Sequence, residues 1–165
     1  MKQLEKMLES KVKVRFPDCD PFNHLNNSKY IDYFINARED HLLSYYDFDI
    51  HRLAIKQGIS WVVAQNQVAY LMPAVLMETV LIQTQLLEFD NKSLLMEAQM
   101  WNNDKSLLKA VLWTRFIHFD LKTVKSHVHS SELMEFFKEI VNPLAEAQSF
   151  EERIKRLKYS KVVAY

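Results

Sequence analysis

Polar and apolar residues alternate over 11–16, Lys-Val-Lys-Val-Arg-Phe, which predicts a half-buried strand ended by Pro17. The polar, proline-bounded stretch 17–26 predicts a loop. From 27 to 46 the spacing changes to steps of three and four. Tyr30, Tyr33, Phe34, Ala37 and His41 fall on one face, predicting a long helix with Asn26 as its N-cap. Ile31, Ile35 and Leu42 add apolar surface beyond that face, so other structure is expected to enclose much of the helix. A short helix over 51–58 ends at Gly58. Segments rich in β-formers follow at about 60–71, 78–89, 93–101 and 107–119. Met72-Pro73, Asp90-Asn91-Lys92 and Asn102-Asn103-Asp104 separate them, the last two as hairpin turns. Residues 131–141 place Leu133, Phe136, Phe137 and Ile140 on one side of a capped helix that Asn142-Pro143 stops. A charged helical stretch, 144–158, precedes an apolar tail, Val162-Val163-Ala164-Tyr165.

This order predicts an α+β domain. An antiparallel meander must bury one face, and the long helix is the element available to cover it. The 165 residues suit one domain, with no repeat or linker inside it. Only Gly58 is glycine, so left-handed turn positions are expected at residues such as Asn23, Asn91, Asn102, Asn103 and the turn aspartates.

Composition narrows the function. Twenty-one Lys and Arg balance twenty-one Asp and Glu, which argues against a nucleic-acid surface. No stretch is long and apolar enough to span a membrane. The single cysteine, Cys19, excludes an intrachain disulfide and fits a reducing cytoplasm.

The candidate chemistry is concentrated in the loop before the long helix, where Asp18, Cys19, Asp20, His24, Asn26 and Asn27 lie within ten residues. The helix N-terminus offers free N–H groups with partial positive charge, suited to an anion or a developing oxyanion. A carboxylate just upstream has the parts for acyl transfer. Asp-x-Asp in a loop also serves plain turn and capping chemistry. A Cys19–His24 nucleophile pair is disfavoured because Asp18 and Asp20 raise the thiol pKa. No strong metal motif is present. Ser126-His127-Val128-His129-Ser130, after His118, predicts a solvated strand edge. Met72, Met77, Met96 and Met100 are expected as core filler or as lining of an acyl pocket. Lys155, Arg156, Lys158 and Lys161 are expected on a solvated helix face.

Val14-Arg15-Phe16-Pro17-Asp18-Cys19-Asp20-Pro21-Phe22-Asn23-His24-Leu25-Asn26-Asn27-Ser28-Lys29-Tyr30, followed by Ala37-Arg38, resembles the 4-hydroxybenzoyl-CoA thioesterase-like acyl-CoA thioesterases of the hotdog superfamily. Val68-Ala69-Tyr70-Leu71-Met72-Pro73 and Phe119-Asp120-Leu121-Lys122-Thr123 extend the likeness, which covers about 11–138. The resemblance implies a five-stranded antiparallel sheet wrapped around the long helix and a homodimer or homotetramer with active sites at a subunit interface. It implies hydrolysis of an acyl-CoA without a cofactor. It places the catalytic carboxylate, nucleophile or general base, at Asp20 and the carbonyl-polarising amide at the backbone N–H of Asn27. His24, Asn26 and Tyr30 become the expected substrate contacts. Residues 1–138 then form the hotdog domain and 139–165 a C-terminal helical extension of it. Two positions depart from the family pattern: Asn23 replaces a glycine, and Ile35-Asn36 replaces residues that are commonly acidic. Those departures keep open a non-catalytic acyl-CoA or fatty-acid binding protein on the same scaffold. A hydratase using Asp20 and His24 is a third reading.

Overall fold

The computed structural model describes residues 3–160; Lys161 and the apolar tail lie outside the described residues. The strands are β1 (Leu8–Lys13), β2 (Ile59–Tyr70), β3 (Thr79–Phe89), β4 (Ser93–Asn102), β5 (Leu108–Asp120) and a short β6 (Lys125–Ser126). The helices are α1 (Asn27–Tyr46), α2 (Ile50–Gln57), α3 (Ser131–Ile140) and α4 (Phe150–Tyr159). Five antiparallel strands run in the order β1-β3-β4-β5-β2, and β6 pairs with β5. No helix among the described residues is long and apolar enough to cross a membrane.

α1 has the predicted span. The Asn26 side chain accepts from the Ser28 N–H and so caps it. Its buried face is Tyr30, Phe34, Ala37, Arg38 and His41. That face packs on the inward side of the sheet, against Val80, Ile82, Met96, Ala98, Met100, Ala110 and Leu112. Helix enclosure is partial, since Leu43 and Tyr45 are exposed. β1 begins earlier than predicted. Leu8 is fully buried and pairs with Thr84, because β3 continues past the alternating segment and offers it further partners.

One topological expectation is corrected. β2 does not join a four-strand meander beside β3; it pairs with β5 from Ile59↔Asp120 to Tyr70↔Ala110. The segment 71–78 therefore crosses over the end of the sheet. The outer sheet face, which strand patterning left open, is covered as well. Phe150 and Leu157 of α4 cover it, against Leu81, Leu87, Leu95, Trp101, Val111 and Trp113. Both faces of β3, β4 and β5 are consequently buried. Within the outer layer sits Glu97, fully buried, with Arg153 of α4 donating to both of its oxygens at 2.8 Å. Burial pushes the Glu97 carboxyl up, but its bonds to Arg153, Trp113 and Gln99 outweigh this and hold it below the usual range.

The segment 126–130 is exposed as expected except at His129. His118 and His129 are buried, their ring centroids 4.7 Å apart, and only His127 of the three is exposed. α3 folds back over them and brings Phe137 to 5.0 Å from His129. Trp61 Nε1 donates to His129 Nε2, so His129 Nδ1–H donates to the Asp90 carbonyl. Burial lowers both histidine pKa values.

Positive-φ positions follow the scarcity of glycine only in part. Asn23 and Asp47 adopt them, but so do Met77, Lys105 and Val124, while Asn91, Asn102 and Asn103 do not. Val124, at φ 56°, is a β-branched residue in a region that costs such side chains about 1–2 kcal/mol. Its side chain is 70% exposed, so little packing is lost on removing it. Val124→Gly is expected to raise stability by about 0.5–1 kcal/mol, the strain relief exceeding the added unfolded-state entropy. Urea denaturation of the two proteins measures the difference.

Candidate active site

Asp20 lies in the loop between a 3-10 turn, Phe16–Asp18, and α1. The loop folds back on itself. Asp20 N–H donates to the His24 carbonyl at 2.8 Å, and Asn23 N–H donates to the Asp20 carbonyl at 3.0 Å. Asp20 Oδ1 accepts from the Phe22 and His24 N–H groups at 2.9 and 3.0 Å. Two backbone donors thus fix one oxygen of a half-buried carboxylate and leave Oδ2 without a hydrogen bond among the described residues. The turn closes at Asn23, φ 59°. Asparagine tolerates that conformation where most residues do not, so the glycine of the family pattern is replaced without loss of the turn.

The crossover 71–78 is the second wall of this region. Leu25 N–H donates to the Ala74 carbonyl, Leu76 N–H donates to the Asn23 carbonyl, and His24 bridges to Val75. Ala74 N–H in turn donates to the Tyr30 hydroxyl at 3.1 Å. Lys109 pins the crossover from beneath, donating to the Pro73 carbonyl and pairing with Glu78, both at 2.9 Å. Sequence reasoning missed Ala74 and Val75, which carry no chemistry of their own; only the Met72-Pro73 break marked their neighbourhood.

The other candidate residues are placed as follows. Asn27 opens α1, and its N–H meets no acceptor among the described residues, whereas the Tyr70 hydroxyl donates to its carbonyl at 3.0 Å. Asn26 Oδ1 accepts from both the N–H and the hydroxyl of Ser28. Tyr30 is buried, its ring 5.1 Å edge-on to Tyr70. His24 is tied in through its backbone, and its ring lies 6.4 Å from that of Phe22. Asp18 Oδ2 accepts from the Tyr33 hydroxyl at 2.7 Å; burial and this bond push the Tyr33 pKa up to about 12. Burial, then the Asp18 and Asp20 carboxylates, raises the Cys19 thiol pKa, which argues against a thiolate nucleophile at neutral pH.

Behind this loop α1 carries a second polar cluster, which the sequence did not single out as chemistry. Arg38 Nη1 donates to Thr84 Oγ1 at 3.4 Å, Thr84 Oγ1 lies 2.8 Å from His41 Nδ1, and His41 Nε2 lies 2.8 Å from Ser10 Oγ. Thr84 is fully buried and its hydroxyl has no other acceptor among the described residues, so it donates to Nδ1 and His41 is the neutral Nε2–H tautomer. Burial, reinforced by Arg38, lowers the His41 pKa to about 4. The unfolded chain therefore binds the extra proton first. His41 supports the fold fully above its unfolded pKa of about 6.5, and that support declines as pH falls toward 4, by about 3 kcal/mol in all. The expected result is a stability difference between wild type and His41→Asn that shrinks between pH 7 and pH 4.5 in urea titrations. Carboxylate protonation common to both proteins cancels in that difference.

The loop, the α1 N-terminus and the match to a family model described as "Thioesterase-like superfamily" over residues 14–140 agree. The chain belongs to the thioesterase-like superfamily. The long-chain acyl-CoA thioesterase FadM of Escherichia coli K12 is 28% identical over 134 residues, covering 81% of this chain and 99% of that protein. The crystal structure of the probable thioesterase YbaW from Escherichia coli aligns with a TM-score of 0.70 at 27% identity, over 82% of this chain and 99% of that one. The 1,4-dihydroxy-2-naphthoyl-CoA thioesterase Slr0204 of Synechocystis aligns at 0.73 with 12% identity, over 83% of this chain and 99% of that one, which bears on the fold alone. Members of this superfamily share the hotdog arrangement of sheet around helix, and the present chain has it.

Proposed function

We propose that this member of the superfamily hydrolyses the thioester of an acyl-CoA to the free acid and CoA, with Asp20 as its catalytic carboxylate. One observation carries the reading: Asp20 is held by two backbone N–H groups with its second oxygen unengaged, in the loop that leads into an α1 N-terminus whose first N–H is unmatched. The name of FadM supports the substrate class. In the reaction the carbonyl oxygen accepts from Asn27 N–H as negative charge develops, a contribution of about 3 kcal/mol. Asp20 either removes a proton from the attacking water or attacks the carbonyl itself. By the first route the tetrahedral intermediate expels CoA as its thiolate. By the second a mixed anhydride forms, CoA leaves, and water cleaves the anhydride. A thiolate leaves readily, so no strong general acid is needed. His24 and Asn26 shape the loop, and Tyr30 holds the crossover against it.

The protein acts in the cytoplasm on this reading, where acyl-CoA is available and a lone thiol stays reduced. It works as a homodimer or homotetramer. The edge strand β2, exposed from Val62 to Asn66, provides an unpaired edge for a second copy. Of the 139–165 extension, the described residues 139–160 belong to the same domain on this reading, supported by the Arg153–Glu97 clamp. Free-thiol release from short, medium, long and aromatic acyl-CoA esters tests the proposal. Turnover of at least one class upholds it. Calorimetric binding of the esters with no thiol release from any of them replaces it with the binding-protein reading.

A further inference from the structure

A cavity of about 190 Å³ lies between the second half of α1, α2, α3 and the inward side of the sheet. Phe48, Trp61, Leu94, Phe116 and Phe137 make its walls apolar, yet Arg38 is also part of its lining. Arg38 is only 9% exposed. Its one hydrogen bond is the long contact to Thr84, and no carboxylate forms an ion pair with it among the described residues. Arginine stays charged under these conditions: burial lowers its pKa only to about 10. A buried guanidinium with only one long hydrogen bond, on a residue that borders an apolar space, is costly unless an anion joins it. Glu39 also reaches the lining, but its Oε2 is turned to His51 Nε2 at 3.3 Å, on the exposed side.

We propose that this cavity binds an aliphatic carboxylate of about six to eight carbons, its chain among the aromatic walls and its carboxylate paired with the Arg38 guanidinium. The size follows from volume. The cavity is somewhat larger than the ~150 Å³ apolar hole that accommodates benzene. Aliphatic chain fits the walls, and a carboxylate is the planar anion that a guanidinium fork receives in two parallel bonds. The site is separate from the loop of Asp20, and does not rest on its proposed chemistry. Neither Asp20 nor Asn27 lines the cavity, and Arg38 stands about 16 Å further along the α1 axis than Asn27. The fully buried Phe34 lies on α1 between them.

Titration with octanoate, followed by calorimetry and by the fluorescence of Trp61 in the wall, tests the site, with 1-octanol as the uncharged ligand of equal length. Octanoate is expected to bind more tightly than 1-octanol by about ten-fold or more, the worth of a charge-assisted bond. Arg38→Met should abolish that preference. Ile50→Trp, which fills the cavity from α2 and leaves Arg38 in place, should weaken both ligands by about ten-fold or more. Asp20→Asn should leave octanoate affinity unchanged. Equal affinity for acid and alcohol, an acid preference that survives Arg38→Met, loss of octanoate binding in Asp20→Asn, or no saturable octanoate binding overturns the proposal. Should Arg38→Met fail to fold, the acid–alcohol comparison in the wild type and in Ile50→Trp still decides.

Discussion

Asp20→Asn is expected to lower kcat for thioester hydrolysis by about 10²–10⁴-fold while the protein keeps its fold, the range a positioned proton-transfer group contributes. The substitution is unusually clean here. The asparagine side-chain oxygen can take the place of Oδ1 and keep both bonds from Phe22 N–H and His24 N–H. Only the negative charge and the basic oxygen are removed. Asp20→Ala removes those bonds as well, and is expected to cost about a further 1 kcal/mol of stability per lost bond. Steady-state thiol release and urea titration on both variants separate chemistry from loop integrity. Undiminished turnover in Asp20→Asn would exclude this carboxylate from the reaction.

The largest expected stability effect lies far from that loop. Arg153→Met should destabilise the fold by about 3–5 kcal/mol at pH 7, because it leaves the Glu97 carboxylate uncompensated inside the outer layer. Trp113, Gln85 and Gln99 still donate to it, but no other cation among the described residues pairs with it. Without its partner, burial raises the Glu97 pKa, so the folded variant takes up a proton more readily than the unfolded chain. The deficit should then be larger at pH 7 than at pH 4.5. Adding Glu97→Gln should recover much of the loss at pH 7. Guanidinium titrations of the single and double variants at both pH values measure this. A loss under about 1 kcal/mol in Arg153→Met would mean that water reaches Glu97 and that the outer layer is not sealed.

The elements that the sequence made legible are those whose signals are local. Asn26 and the three-and-four spacing from Tyr30 to His41 define α1 to the residue, and the Asp90 and Asn102 turns mark hairpins that form where expected. The site loop was legible for the same reason, since Asp20, His24, Asn26 and Asn27 lie together in the chain before they lie together in space. What was not legible depends on partners distant in sequence. Nothing in the pattern of β2 distinguishes β5 from β3 as its neighbour. His129 reads as solvated until α3 returns over it. Arg38 sits on the helix face that the spacing marked as apolar, and only the fold reveals that no acid among the described residues pairs with it. Nothing in the sequence links Glu97 to Arg153, 56 residues later.

The crossover 71–78 gives the Asp20 loop an unusual place in the order of folding. β3, β4 and β5 pair with neighbours in the chain and can assemble early, whereas β2 must find β5 and β1 must find β3 across long intervening stretches of chain. The Asp20 loop leans on a segment fixed only after both distant pairings are made. Catalytic competence should therefore be the last property gained on refolding and among the first lost when the sheet edge opens, well before the central strands come apart.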